Sequence, residues 1–345
     1  MNNEAPQGTR PEDEYEIYRR EKHEKWQTPE EIIDAAVLKA ASSPLKEKTR
    51  LIKGESNEVY SAITESGQEI IIRIHHGKKG RFEKERWAFD RCAEAGVPVP
   101  TMLSIESVEN EGELLRICVE TKLDGTALED VPDITDPGKA AELAGYLHQL
   151  GAAFEKIHTV KTNGFGPLDK DGNGKFRSVQ ELISGDLYIK KDYILAAFDQ
   201  DPDTRAMLIR AFDILEREAA AYLEIEPRLI HNDLSPQHVL VKDGKIAGII
   251  DFESAVGGDP IMEFALWEFK HGREFPTKLL EEGYVDQSLF GGDFERKLNF
   301  WKIYRSLASL RYCLDEKKRN GIKKSLKSLQ NSVEFFCPER LVIGN

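Results

Sequence analysis

The sequence has 345 residues, 40% of them hydrophobic and 32% charged, with a formal net charge of −13. That length accommodates two domains of ordinary size, and no apolar run is long enough to cross a bilayer. The negative balance opposes nucleic-acid phosphates and suits a cationic partner if it is concentrated at a cleft, although acidity alone also serves solubility.

In chain order, residues 1–28 are dense in charge and carry Pro6 and Pro11, the pattern of a solvated arm rather than of a core. With no apolar stretch ahead of a small-residue cleavage site, the expected location is the cytoplasm. "TPEEIIDAAVLKAAS" (28–42) reads as a short helix, with Thr28 as candidate N-cap, proline at the first helical position and early glutamates. From 47 to 121 the pattern is strand, strand, strand, helix, strand, strand. "ESGQ" and "ENEG" supply hairpin turns, and "RFEKERWAFDRCAEAG" supplies the helix. Beyond residue 123 helical periodicity dominates, over 136–160, 203–224, 259–272 and 294–318. Only "RLIHNDL", "HVLVKDG" and "IAGIIDFES" interrupt it as short extended runs, two of them joined by a DG turn. The expected organisation is an arm (1–28), an N-terminal lobe of antiparallel sheet plus helix (29–122) and a larger helical lobe (123–345). Four widely spaced cysteines without CxxC pairs read as reduced thiols.

The chemistry concentrates in "HNDLSPQH" (231–238). Polar side chains that follow an apolar run sit on a loop, where Asp233 and His238 are presented five positions apart. Asp251 follows eighteen positions after Asp233, again at the end of an apolar run. Two carboxylates at the ends of neighbouring short strands, with an imidazole between them in sequence, form a layout that holds a metal-bound polyphosphate. Alone, an Asp after a strand is more often a cap or turn former.

The order of segments extends the case. "KGESNEVY", "IIIRIHH", "FEKERWAF", "CVETKLDG", "HNDLSPQH", "IIDFES" and "GGDP" succeed one another from about residue 47 to 270, and this series resembles the aminoglycoside phosphotransferase family, which includes hygromycin and macrolide phosphotransferases. The resemblance implies an α+β, two-lobed protein-kinase-like fold, and a small-molecule kinase that moves the γ-phosphoryl group of ATP or GTP to an acceptor hydroxyl with Mg²⁺. On the matching positions it implies Asp233 as the residue that orients the hydroxyl and takes its proton, and Asp251 and His238 as metal-site residues. For the nucleotide it implies Arg73 as phosphate cation with Glu85 as partner, a turn at Gly54 presenting Ser56 and Asn57 to phosphates, and a hinge at Glu120 and Lys122 facing the purine. His231 and Asp259 are expected to be structural. Glu263, Trp267 and Glu268 are candidates to line the acceptor pocket, although on a helix they equally suit core and solvated faces.

Two positions depart from the common pattern. Arg73 stands where protein kinases carry lysine, which keeps the charge and alters the geometry. His238 stands where most relatives carry asparagine, and imidazole is softer than Mg²⁺ prefers; some aminoglycoside 2″-phosphotransferases and macrolide phosphotransferases are similar to the chain in this. The resemblance implies an antibiotic acceptor, with an aminoglycoside first, macrolides next, and choline, homoserine or hydroxylysine as metabolic alternatives. A nucleotide-binding regulatory pseudokinase is the contrasting class, though Asp233, Asp251 and Arg73 are all present.

Two other stretches carry weaker signals. "DKDGNGKFRSVQ" (169–180) opens like a calcium loop but ends in Gln180 instead of a bidentate glutamate, so it reads as a surface turn. "GKKGR" (77–81) is short and reads as a solvated connection.

Overall fold

A computed structural model describes residues 23–52, 56–77, 81–131, 137–187, 190–222 and 225–337. Most of the expected arm, Gly54, and the centre of "GKKGR" lie outside the described residues. The described chain divides into two compact units, one of residues 23–82 and 100–122, the other of 83–99 and 123–337. The sequence-based boundary placed all of 29–122 together; the segment 83–99, which carries most of the helix Phe82–Glu94, instead groups with the second unit.

The first unit holds a five-stranded antiparallel sheet, ordered β1-β2-β3-β5-β4, packed with the helix Glu30–Ala41. Its elements are α1 (Glu30–Ala41), β1 (Leu45–Leu51), β2 (Glu58–Thr64), β3 (Glu69–His76), β4 (Met102–Asn110) and β5 (Glu113–Thr121). Side chains alternate across a strand, and in β3 this sends Ile70, Ile72 and Ile74 into a core with Ile33, Ala36 and Val37 of α1. Arg73 therefore points to the opposite face, where its neighbour in register is Cys118. The expected Thr28 cap does not form. Thr28 Oγ1 instead donates to Glu58 Oε2 at 2.7 Å, and α1 begins after Pro29 with no side-chain cap.

Glu58 is fully buried and collects a small network. It accepts hydrogen bonds from Thr28, from Tyr60 at 2.5 Å and from His76 Nε2 at 2.9 Å, with Arg50 at 3.6 Å. Arg50 also donates to the carbonyls of His23 and Trp26, and the Trp26 ring stacks on His76 at 5.6 Å. Buried charge demands such partners, and here they tie residues 23–28 to the sheet.

The second unit holds the remaining helices, chiefly α2 (Phe82–Glu94, of which residues 83–94 belong here), α3 (Pro137–Thr159), α4 (Pro202–Ala219), α5 (Ile261–His271), α6 (Phe294–Asp315) and α7 (Arg319–Phe336). Asp201 caps α4 by accepting from Thr204 N, with Pro202 at the start of the helix. Phe154, Phe212, Phe264, Trp267, Phe300 and Trp301 are buried in its core. The short helix Thr277–Gly283 lies against α3 through two glycines. A Cβ on Gly151 would fall 2.1 Å from Leu280 O, and one on Gly283 would fall 2.0 Å from His148 O, so only hydrogen fits at either crossing point.

Two small antiparallel sheets complete this unit. One is ordered β11-β10-β6, from Lys245–Ile249, Val239–Lys242 and Thr126–Ala127. The expected DG turn joins β10 and β11, with Asp243 at φ 50° and Gly244 at φ 74°, a pair of positive values that defines a type I′ hairpin. The other sheet is ordered β8-β7-β12-β9, from Gly174–Phe176, Phe165–Leu168, Val256–Gly258 and Arg228–Ile230. The apparent calcium loop is the β7–β8 connection. Its Asp169 carboxylate is spent on the N–H groups of Asp171 and Asn173, both at 2.9 Å, the local bonding of an Asx turn.

Candidate active site

Backbone pairing brings the two polar loops together. β9 leads into residues 231–238, and β12 follows the Asp251 segment; Val256 and Gly257 pair with Ile230 and Leu229. β10 and β11 join the far ends of the same loops. Asn232 and Asp251 both adopt the left-handed conformation, each with φ 68°, at a local cost of roughly 1 kcal/mol. Such residues persist where their surroundings fix them.

His231 and Glu263 supply that fixing. His231 is fully buried; its Nε2 donates to Ile250 O at 3.0 Å, and its Nδ1 accepts from Asp233 N at 3.4 Å. Burial, helped by the neighbouring His238, lowers its pKa to about 4, so the ring is neutral and carries its proton on Nε2. Glu263 accepts from His231 N at 2.6 Å and from Asn232 N at 3.3 Å. Burial pushes its carboxyl up to about 7, with Arg305 and these two N–H donors acting in the other direction. Asn232 Nδ2 donates to Ser254 O at 2.9 Å, and Arg305 donates to its Oδ1. Lys84 of α2 adds a bond to Ala255 O at 3.1 Å.

On this frame Asp233 and Asp251 remain partly exposed, with side-chain accessibilities of 42% and 40%. His238 Nδ1 donates to Asp233 O at 2.9 Å. A carbonyl only accepts, so a neutral His238 carries its proton on Nδ1 and turns the lone pair of Nε2 outward. That lone pair faces Asp251 Oδ2 at 3.5 Å. Two electron-pair donors at this separation match adjacent ligands of an octahedral ion, which stand about 3 Å apart when each is at about 2.1 Å. Among the described residues no cluster of three or more His, Cys, Asp or Glu side chains forms a closed metal cage. A two-ligand edge suits Mg²⁺, which keeps waters and takes its other oxygens from substrate phosphates.

The remaining candidates fall differently. Glu263 and Trp267, expected in an acceptor pocket, are 2% and 1% exposed. Glu263 is a backbone anchor, and the Trp267 Nε1–H donates to Phe275 O at 2.9 Å within the core; that expectation is corrected for both. Burial follows from their place on the α5 face that packs inward. Glu268 is partly exposed and pairs with Lys302. Asp259 is buried, accepting from Ile261 N at 3.1 Å and from Trp301 Nε1 at 3.0 Å. Burial raises its pKa, against the Trp301 bond.

In the first unit, Arg73 Nη1 lies 3.5 Å from Glu120 Oε2, and its guanidinium sits 5.3 Å from the centre of the Phe82 ring. Asn57 Oδ1 and Ser56 O each lie 3.2 Å from His75 Nδ1, and Lys122 is 3.5 Å from Glu69. Glu85 is fully buried on α2 of the second unit. Sequence reasoning did not single out Asn232, Lys84, Arg305 or Lys270. Lys270 Nζ pairs with Asp233 Oδ1 at 2.6 Å; it follows Glu263 and Trp267 at helical spacing, which was its one sequence signal.

An α+β chain whose paired loops bring Asp233, His238 and Asp251 to one place suits a kinase-like phosphotransferase. Residues 48–297 match the profile of the APH phosphotransferase enzyme family, and the chain belongs to that family. Hygromycin-B 4-O-kinase of Escherichia coli is 27% identical over 217 residues, covering 63% of this chain and 60% of that protein. The chain thus aligns with less than two thirds of that relative's length.

Among solved structures, a thermostable mutant of aminoglycoside phosphotransferase APH(4)-Ia in ternary complex with AMP-PNP and hygromycin B superposes with a TM-score of 0.70 at 21% identity. That match covers 88% of this chain and 97% of the other. Macrolide 2′-phosphotransferase MphH from Brachybacterium faecium gives 0.55 at 18% identity, covering 86% and 98%. These likenesses establish the kinase-like fold.

Proposed function

We propose that the protein transfers the γ-phosphoryl group of ATP or GTP to a hydroxyl of a small-molecule antibiotic, with an aminoglycoside such as hygromycin B the first choice, and so confers resistance. The observation that carries this reading is the His238–Asp251 edge, 3.5 Å across, with His238 bonded to the main-chain carbonyl of Asp233, in a chain of a phosphotransferase family.

Asp233 Oδ2 receives the acceptor hydroxyl and orients its oxygen toward the γ-phosphorus. A bond forms between that oxygen and phosphorus as the bond to the β–γ bridging oxygen breaks. The hydroxyl proton passes to Asp233, and the nucleoside diphosphate leaves. His238 and Asp251 would hold Mg²⁺, which when bound would neutralise phosphate charge. Arg73, paired with Glu120, meets the phosphates together with Ser56 and Asn57, and Glu120 and Lys122 flank the base.

The same reading places the enzyme in the cytoplasm, without nucleic-acid or membrane partners. No helix among the described residues is long and apolar enough to cross a membrane, and the charge of −13 disfavours phosphate backbones.

The deciding experiment is Mg²⁺-dependent consumption of ATP and of GTP, each against hygromycin B, other aminoglycosides, macrolides, choline and amino alcohols. One acceptor class should stimulate turnover strongly, and Asp233→Ala should reduce it about 10²- to 10⁴-fold while nucleotide still binds. Undiminished turnover in Asp233→Ala removes the assignment of that residue. Nucleotide binding with no stimulation by any acceptor returns the regulatory pseudokinase reading.

A further inference from the structure

Side chains, rather than the strand ladder, hold the turn that carries Asp233. The N–H groups of His231 and Asn232 donate to Glu263 at 2.6 and 3.3 Å, and that of Asp233 donates to His231 Nδ1 at 3.4 Å. Asn232, in the left-handed conformation at φ 68°, is the joint among these parts. Its Nδ2 donates to Ser254 O at 2.9 Å, across to the segment that begins at Asp251, and its Oδ1 accepts from Arg305 of α6. The Arg305 guanidinium is held in turn: it lies 5.8 Å from the centre of the Tyr304 ring, whose hydroxyl donates to Asp186 Oδ2 at 2.9 Å. Glu263, Asp233 and Asp186 are all within its electrostatic reach.

We propose that Arg305 is a positioning residue for phosphoryl transfer, acting through Asn232 to hold the loop of Asp233 against the segment of Asp251. The inference rests on the phosphotransferase reading above and deepens it. A carboxamide has one accepting end and one donating end, whereas a guanidinium only donates. Arg305 therefore fixes which way round the Asn232 amide stands, with its oxygen toward α6 and its nitrogen toward Ser254 O. Reversed, the amide would set its oxygen against that carbonyl, and the bridge between the two loops would be lost. Strand pairing aligns the loops at their ends, at Ile230 with Val256 and at Val239 with Ile249; the bridge ties them where the reacting groups meet. Transfer requires the hydroxyl oriented by Asp233 to face a phosphate held at the His238 and Asp251 edge, and a misplacement of about 1 Å costs about 10²-fold. A buried ionic network is weak evidence for stability, but this one ends on the residue next to Asp233.

The test compares wild type with Arg305→Met, Asn232→Gly and the two combined, with melting temperature as the folding control. Glycine keeps the left-handed backbone at 232 without strain and deletes only the bridge, so it remains informative where Arg305→Met does not fold. With Mg²⁺, ATP and hygromycin B, each single variant should lower kcat about 10- to 100-fold while KM for nucleotide and acceptor stays near wild type. The combined variant should fall no further than the worse single one, because both remove the same bridge. Wild-type kcat in Asn232→Gly overturns the proposal, as do losses that multiply in the combined variant. Amide hydrogen exchange supplies a readout that needs no turnover: residues 231–233 should exchange faster in Asn232→Gly, with α3 unchanged. Unaltered exchange at 231–233 also overturns the proposal. Absence of transfer in wild type removes the enzymatic reading by itself, while exchange still decides whether Arg305 and Asn232 hold the loop.

Discussion

His238 carries its proton on the nitrogen bonded to the Asp233 carbonyl, and this determines what it offers a metal. Its Nε2 lone pair is a softer donor than the amide oxygen of asparagine, yet it stands 3.5 Å from Asp251 Oδ2 in the position of an adjacent ligand. His238→Asn is therefore expected to keep measurable turnover, because a shorter but harder ligand replaces the imidazole. His238→Leu should weaken Mg²⁺ binding by about 10- to 100-fold. Titration of Mg²⁺ at fixed nucleotide separates the two variants, and equal metal affinity in wild type and His238→Leu would remove His238 from the metal edge.

At the scale of elements, β2 and β3 share the Glu58 network, and its two titrating members act in opposite pH ranges. Burial raises the Glu58 carboxyl, but hydrogen bonds from His76, Tyr60 and Thr28 and the charge of Arg50 outweigh it and hold the group at about 2, below its ordinary 4.5. This stabilisation is present above pH 4.5 and is lost as pH falls toward 2. Burial lowers His76, but its hydrogen bonds to Glu58 and Glu113 outweigh it and raise the ring above its ordinary 6.5. That contribution is present below pH 6.5 and fades as pH rises through the folded value. The network should thus stabilise the first unit most between pH 4.5 and 6.5. Glu58→Gln should cost on the order of 1–3 kcal/mol there and flatten the pH dependence of melting. An unchanged profile would show that the network is not coupled to folding.

The same elements show what the sequence could convey. The strands of the first sheet and the helices over 137–159, 261–271 and 294–315 follow from period-2 and period-3.6 patterns that real packing obeys. Thr28 looked like a cap because local chemistry favours one, but a buried carboxylate thirty positions away claimed its hydroxyl, a demand no local window contains. β6, β7, β8 and β12 have two to four residues each, too few for a periodic signal. The juxtaposition of Asp233, His238 and Asp251 was legible because their spacing sets two polar loops at the ends of short extended runs. Arg305 was not, since it lies 72 positions after Asp233 on a helix with no motif. For Glu263 and Trp267 the pocket and core readings both stood, because residue type does not reveal which helical face turns inward, and burial decides for the core.

For the whole molecule, a bound nucleotide should appear as stability. A ligand at 100 times its dissociation constant adds about 2.7 kcal/mol, several degrees of melting temperature in a chain of this size. Saturating AMP-PNP with Mg²⁺ is expected to raise the melting temperature, EDTA to cancel much of the rise, and Asp251→Asn to reproduce the EDTA result even with Mg²⁺ present. A full shift in Asp251→Asn would detach Asp251 from the metal. Because residues 23–82 with 100–122 and residues 83–99 with 123–337 have separate cores, the shift is best read with probes in each unit.

The pairing of β9 with β12, and of β10 with β11, has an evolutionary consequence. The spacing between Asp233 and Asp251 is set largely by main-chain bonds, which any residue with a peptide N–H can supply. Lys270, which pairs with Asp233, and Lys302, which pairs with Glu268, are side chains on helices outside that ladder. On the proposed function, a lineage could exchange such side chains and change its acceptor while the main-chain frame that spaces Asp233 and Asp251 is inherited intact.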